Sequence, residues 1–279
     1  MPGCRFGVNG TTSAGRVLEV THRRQRGSIW ITLPLFRHPT SSTARPFVNH
    51  DEARVPRSAQ KLKVLFEDNH CLAVFKPAGV LTMGDRTGDV SLVDLAREYL
   101  RQKYDKPGNV FVGVVHRLDR PVSGVLLFAR TSKAAARLSE QFRKHTVRKV
   151  YHCVVEGRPT ESSGELVDWL AKDESQNRSR AVQRSDEAKL SRLSYRCLKS
   201  AGSLSLLEIE LLTGRSHQIR VQLSSRGLPI CGDAKYGSKT KLEGWLTLHA
   251  AALTFEHPTQ HEPITVTAPH PAEWKRFRL

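Results

Sequence analysis

Asp119 lies in the stretch 116–124, His-Arg-Leu-Asp-Arg-Pro-Val-Ser-Gly, between the guanidinium groups of Arg117 and Arg120 and between two apolar, β-prone runs at 110–115 and 125–129. Pro121 and Gly124 keep the turn out of regular structure, so the segment reads as strand, irregular loop, strand. A carboxylate so placed is held ionised and aimed at whatever fills the neighbouring cleft, a setting that suits nucleophilic or charge-stabilising chemistry. Taken alone, the same pattern suits an ion pair that merely braces a loop. A second cluster, Thr-Gly-Arg-Ser-His-Gln-Ile-Arg at 213–220, sits at a strand-to-helix junction. There Gly214 permits a tight turn, Arg215 stands at its apex and Ser216 can cap the helix. His217, Gln218 and Arg220 fall in the first turns, where backbone amides favour an anion. A capped helix with a solvated basic face accounts for this octet equally well. Tyr151 is the third candidate: alternation within Val150-Tyr151-His152-Cys153 turns its ring to the face opposite its neighbours, although most strand tyrosines only pack.

The elements that must position these groups can be read from periodicity. Residues 64–67 and 71–75 read as short strands around Asp68-Asn69-His70, followed by the stiff and then flexible turn Lys76-Pro77-Ala78-Gly79. Ser91 and Asp94 form a capping box for a helix whose buried face is Leu92, Leu95, Ala96, Tyr99 and Leu100, and which ends before Pro107-Gly108. A second helix is expected over 132–144, with Ala135, Leu138 and Phe142 inward, and a strand over 149–156. Residues 157–188 are polar and read as loops with a hairpin. Strands at 190–198 and 204–212 follow, with Leu207, Ile209 and Leu211 facing in and Glu208 and Glu210 facing out. A third helix is expected at 216–225, closed by Gly227, then strands at 246–255 and 264–267. Strands outnumber helices and many gaps are hairpin-length. The expected class is α+β, with a mixed, mostly antiparallel central sheet flanked by helices and loops. There is no internal repeat, Gly-rich phosphate loop or dinucleotide fingerprint.

Forty-four Lys and Arg against 27 Asp and Glu give a net charge of +17, which points to a polyanionic partner, nucleic acid first. No apolar run reaches bilayer-spanning length and no basic amphipathic helix with a leucine or aromatic face stands out, so no membrane partner is expected. The five cysteines are odd in number, scattered and without a Cys-x-x-Cys pair. That fits a reducing, cytoplasmic setting without a metal site. Residues 1–60 carry nine arginines, three acids and no lysine, whereas all fifteen lysines lie from Lys61 onward. This stretch reads as a basic, poorly ordered extension, or as a targeting segment that would send the protein to an organellar matrix. Residues 61–279 would then form the catalytic domain.

The stretch 116–124 is very similar to the signature of the RluA family of pseudouridine synthases, and 213–220 resembles a second motif of that family. Further similarities follow in the family's order: Lys-Pro-Ala-Gly at 76–79, Lys-Val-Tyr at 149–151, Asp-Trp-Leu-Ala-Lys-Asp at 168–173, Gly-Leu-Pro-Ile-Cys-Gly-Asp-Ala-Lys-Tyr-Gly at 227–237, Leu-His-Ala at 248–250 and Phe-Glu-His-Pro at 255–258. Together they span about residues 62–270. The resemblance implies the pseudouridine synthase fold, isomerisation of a flipped-out uridine in tRNA or an rRNA stem-loop, a monomer, and neither cofactor nor metal. It also implies Asp119 as nucleophile, Arg215 paired with it, and Tyr151 stacked on the uracil or acting as base. Arg117 would fill the space of the flipped base, and His116, Ser123, Gly124, His217, Gln218 and Arg220 would line the substrate. Val122 departs from the Thr of many members. Residues 1–60 do not read as the compact ribosomal-protein-like module that several members carry, so the chain resembles the single-domain branch. The competing reading is a catalytically silent RNA-binding or ribosome-assembly protein on the same scaffold; the joint presence of Asp119, Tyr151 and Arg215 argues against it.

Overall fold

Two short strands, Lys63–Glu67 (β1) and Cys71–Lys76 (β2), pair antiparallel across the Asp68 turn. This is seen in a computed structural model that describes residues 62–85 and 87–279; the expected extension at 1–60 lies outside the described residues. Helix α1 (Leu92–Lys103) starts at the Ser91–Asp94 capping box as expected and buries Leu92, Val93, Ala96 and Leu100, with Leu95 and Tyr99 half-buried beside them. Of the run 110–115 only Gly113–Val114 (β3) is strand, pairing with Ser123–Ala129 (β4). Every residue of β4 is buried because the strand is covered on both faces. Leu126 and Phe128 join the α1 side, whereas Val125, Leu127 and Ala129 join the side covered by α2 (Ser132–Arg143), which contributes Ala134 and Leu138.

Strand β5 (Arg148–Glu156) follows, then a hairpin of β6 (Ser163–Asp173) and β7 (Arg178–Val182). The hairpin expected within the polar stretch 157–188 is present, and its first strand runs to eleven residues. Five of β6's residues are exposed, so its polar face hid the strand from a hydrophobic pattern. Strands β8 (Lys189–Ala201) and β9 (Leu204–Leu211) bury Leu207, Ile209 and Leu211 while Glu208 and Glu210 pair with surface arginines, as the alternation required. The third helix is shorter than expected: α3 runs Gln218–Ser224, and its N-cap is His217, in a left-handed conformation, rather than Ser216. A 3-10 turn at Ala234–Tyr236, strands β10 (Leu248–Glu256) and β11 (Pro263–Thr267), and a second 3-10 turn at Ala272–Phe277 complete the chain.

The eleven strands of the described residues form one sheet in the order β1-β2-β4-β10-β5-β9-β8-β6-β7, with β11 beside β10 and β3 beside β4. Every pairing is antiparallel except β4–β10, where His249 lies opposite Ser123 and Ala250 opposite Gly124. That parallel contact brings the end of the chain against the loop that carries Asp119. It is so close that a Cβ on Gly124, whose φ is +122°, would overlap the backbone of Ala250.

Candidate active site

The Asp119 loop is held from three directions. Before it, Thr82 Oγ1 donates to Leu118 O (2.9 Å) and accepts from Leu118 N (3.3 Å). Beneath it, the fully buried Lys76 directs its ammonium at Pro77 O, Arg120 O and Val122 O (3.2, 3.0 and 2.6 Å), while Gly79 N adds a bond to Arg120 O. After it, Ser123 Oγ bonds His249 Nδ1 at 2.8 Å. Burial pushes the Lys76 amine down to about 7, partly opposed by the nearby Asp119 carboxylate. Three carbonyl acceptors satisfy all three ammonium protons, so the side chain serves as an internal clamp on the loop.

With its backbone fixed, the Asp119 side chain stays 39% exposed. Its Oδ2 receives Arg220 Nη1 at 3.4 Å and faces His217 Nε2 at 3.6 Å; its Oδ1 takes no hydrogen bond from the described residues. Arg220 is fixed in turn by the buried Asp233, through Nε–Oδ2 at 2.6 Å and Nη2–Oδ1 at 2.8 Å. Burial lowers the pKa of the His217 imidazole. Tyr151 projects from β5 close enough to Asp119 that burial first, and the carboxylate second, push its phenol well above the usual tyrosine range. The phenol is therefore kept protonated at neutral pH.

These placements correct several expectations. Arg215 does not pair with Asp119: its Nε donates to Leu190 O at 3.2 Å, and the arginine on the carboxylate is Arg220. The left-handed backbone at His217 (φ +54°) turns the chain between the two arginines, which spacing alone did not reveal. His116 points inward, accepting Leu127 N–H at 2.9 Å and stacking on Phe142, and burial pushes it to about 3. Ser123 and Gly124 are structural, through His249 and the close approach to Ala250. Gln218 is buried and spends its amide on Thr213, Arg215 N–H and Arg192 O. Tyr151, His217 and Arg220 converge on Asp119, and Arg117 is exposed two residues before it. Sequence reasoning gave no role to Lys76, Asp233 or Tyr236; each lies within a quoted family-like motif, which was the available signal.

A separate group of possible metal ligands, Asp68, Cys71 and His257, places its atoms within 4.8 Å of one another. Asp68 Oδ1 accepts the His70 and Cys71 amides and Oδ2 accepts from His257 Nε2 (2.8 Å), whose Nδ1 accepts from Gln260 N (3.0 Å). Those lone pairs are spoken for, and the trio latches two turns together.

Comparison with known proteins bears on the family and the fold. Residues 70–225 match the family model described as RNA pseudouridylate synthase. The uncharacterized RNA pseudouridine synthase YhcT of Bacillus subtilis (strain 168) is 35% identical over 218 residues, covering 78% of this chain and 71% of that protein. The ribosomal large subunit pseudouridine synthase D of Zymomonas mobilis is 34% identical over 223 residues, 76% of this chain and 70% of that protein. Among solved structures, human RNA pseudouridylate synthase domain containing 4 superposes with a TM-score of 0.66 at 25% identity, over 77% of this chain and 93% of that one. A carboxylate set on a clamped loop, the expected α+β sheet and these likenesses converge: the chain belongs to the RNA pseudouridylate synthase family, whose members are isomerases.

Proposed function

We propose that this protein isomerises a specific uridine of a tRNA or rRNA to pseudouridine, with Asp119 as the nucleophile. The isomerisation breaks the bond from ribose C1′ to uracil N1 and forms one from C1′ to C5; the C5 proton leaves and N1 gains one, so the product has the atoms of the substrate. The observation that carries the reading is the Asp119 carboxylate itself, partly open, with Oδ2 engaged by Arg220 and Oδ1 unengaged. Arg220, itself fixed by Asp233, holds one oxygen and keeps the carboxylate oriented while the other oxygen faces the reacting base or sugar. Tyr151, projecting from β5 near Asp119, stacks on the flipped base in this reading.

The charge distribution supports an RNA substrate. Arg97, Arg101, Arg130, Arg143, Arg148 and Arg196 are each tied to a carboxylate. By contrast Arg178, Arg180, Arg184, Lys189, Arg215 and Lys235 have no ion-pair partner among the described residues. They lie together around the β6–β7 hairpin and the 213–220 segment: Arg178 sits over the Tyr236 ring, Lys235 reaches Gln176 O and Arg215 reaches Leu190 O. Uncompensated cations beside the carboxylate suit phosphates of the RNA strand that delivers the base.

The test maps pseudouridine across total tRNA and rRNA from cells carrying the protein, lacking it, or carrying Asp119→Ala. One or a few uridines are expected to stay unmodified in the last two. Identical maps in all three would refute the reading.

A further inference from the structure

We propose that the turn 233–236 is the positioning element of this site: Asp233 and Tyr236 fix Arg220 and His217 so that both face the same oxygen of Asp119, whose other oxygen takes no hydrogen bond from the described residues. The inference rests on the reading of Asp119 as the nucleophile and adds to it the residues that set its geometry.

Asp233 accounts for half of the arrangement. Its carboxylate is buried and grips Arg220 through Nε and Nη2, which leaves Nη1 to reach Asp119 Oδ2. A guanidinium held at two of its nitrogens is a rigid plane, so the direction of the third is determined. The Tyr236 ring lies 4.9 Å from the same guanidinium and limits its swing.

Tyr236 accounts for the other half. Its Oη accepts Ser179 N–H at 2.9 Å and has one proton to give, to Ser179 O at 3.2 Å or to His217 Nδ1 at 2.8 Å. If that proton is given to Nδ1, at the shorter contact, a neutral imidazole carries its own proton on Nε2, which faces Asp119 Oδ2. Burial favours the neutral ring. The backbone of His217 gives an independent indication. It is a non-glycine residue at φ +54°, at a helix N-cap with no side-chain capping bond. Left-handed backbone without local reward is retained where surrounding contacts require it, and the anchor here is the ring nitrogen on Tyr236. The turn itself is pinned by Ser224 Oγ on Tyr236 O (2.6 Å) and by Gly232, where a Cβ would crowd Trp245 O and Leu242.

Two measurements test this. The first needs no variant: nitrogen-15 NMR of histidine-labelled protein should find His217 with a bare Nδ1 and a protonated Nε2 near neutral pH. Finding the proton on Nδ1 overturns the Tyr236 assignment. The second compares Tyr236→Phe and Asp233→Asn with the wild type on total RNA from cells lacking the protein, reading pseudouridine formed per minute. About a tenfold fall in kcat with little change in KM is expected for each. For Tyr236→Phe, His217 should also protonate at higher pH, since the bond that occupied Nδ1 is gone. Folded variants with unchanged kcat and unchanged histidine titration refute the positioning role while the enzyme reading stands. If the wild type forms no pseudouridine in that RNA, the enzyme reading fails and the tautomer measurement alone decides whether the turn orients the histidine.

Discussion

The ammonium of Lys76 lies 2.6 Å from the carbonyl oxygen of Val122, 46 residues further along the chain, at a point with no solvent exposure. The carbonyls of Pro77 and Arg120 complete its coordination, so one buried cation ties the segment after β2 to the Asp119 turn. Folding brings this amine from an ordinary value of 10.5 down to about 7 through burial. Below pH 7 both folded and unfolded chains keep the proton; between about 7 and 10.5 the unfolded chain binds more of it. Stability therefore rises with pH across that window, by up to a few kcal/mol. Denaturant titrations at pH 7 and 9.5 should show the rise in the wild type and a smaller one in Lys76→Met. The variant should also lose at least about tenfold in kcat, because the Gly79 amide alone would then hold Arg120 O and the Val122 carbonyl would lose its ammonium partner.

Arg220 and Arg215 should separate cleanly. Arg220→Lys keeps a charge but cannot bridge Asp119 and Asp233 as a fork does, and it leaves a buried carboxylate poorly paired. A loss of about 100-fold in kcat is expected, with destabilisation of about 3 kcal/mol. Arg215→Ala removes a half-buried side chain whose guanidinium is bonded to one carbonyl and should change kcat less than about threefold, its effect falling on RNA affinity and its salt dependence. Steady-state kinetics on the two variants decides; a larger kcat loss for Arg215→Ala would mean that the pairing with Asp119 has been misassigned.

How much of this was legible in the sequence depends on what each residue type can reveal. The Ser91 capping box and the alternation in β9 are local signals, and both elements appear where local rules place them. The choice between Arg215 and Arg220 is not local: five residues apart around a left-handed residue, the two point in different directions, and only the folded turn separates them. His116 and Ser123 looked like site residues because they flank Asp119, yet the loop between them is irregular and turns His116 to the Leu127 amide and Ser123 to His249. Lys76 was unreadable as a clamp because its acceptors are backbone atoms, which carry no sequence label.

Acid should weaken the fold through two histidines. Burial pushes His116 to about 3 and His249 to about 4 from an ordinary 6.5. Below pH 6.5 the unfolded chain takes up protons that the folded chain refuses, so stability falls as pH drops from 6.5 toward 4. Each ring contributes a slope of up to about 1.4 kcal/mol per pH unit. His249→Gln should give a shallower fall between pH 6.5 and 4.5 in urea titrations; an unaltered slope would show that His249 is not a source of it.

Gly124→Ala should be far more damaging than Gly79→Ala, although both glycines have positive φ. A methyl at 124 meets the Ala250 backbone, whereas at 79 nothing lies within 4 Å. Expected losses are about 1 kcal/mol at 79 and several kcal/mol at 124, enough to prevent purification of a folded protein. Expression and thermal melts of the pair check it.

The side-by-side run of β4 and β10 has a consequence for how the protein is made. The strand that flanks the Asp119 loop lies some 120 residues further along the chain, so a ribosome must translate past Ala250 before the loop can gain its neighbour. A nascent chain exposes Asp119 early but lacks His249 beneath Ser123 and the 233–236 turn behind Arg220. Unfinished or prematurely released polypeptides would thus carry Asp119 without the neighbours that orient it.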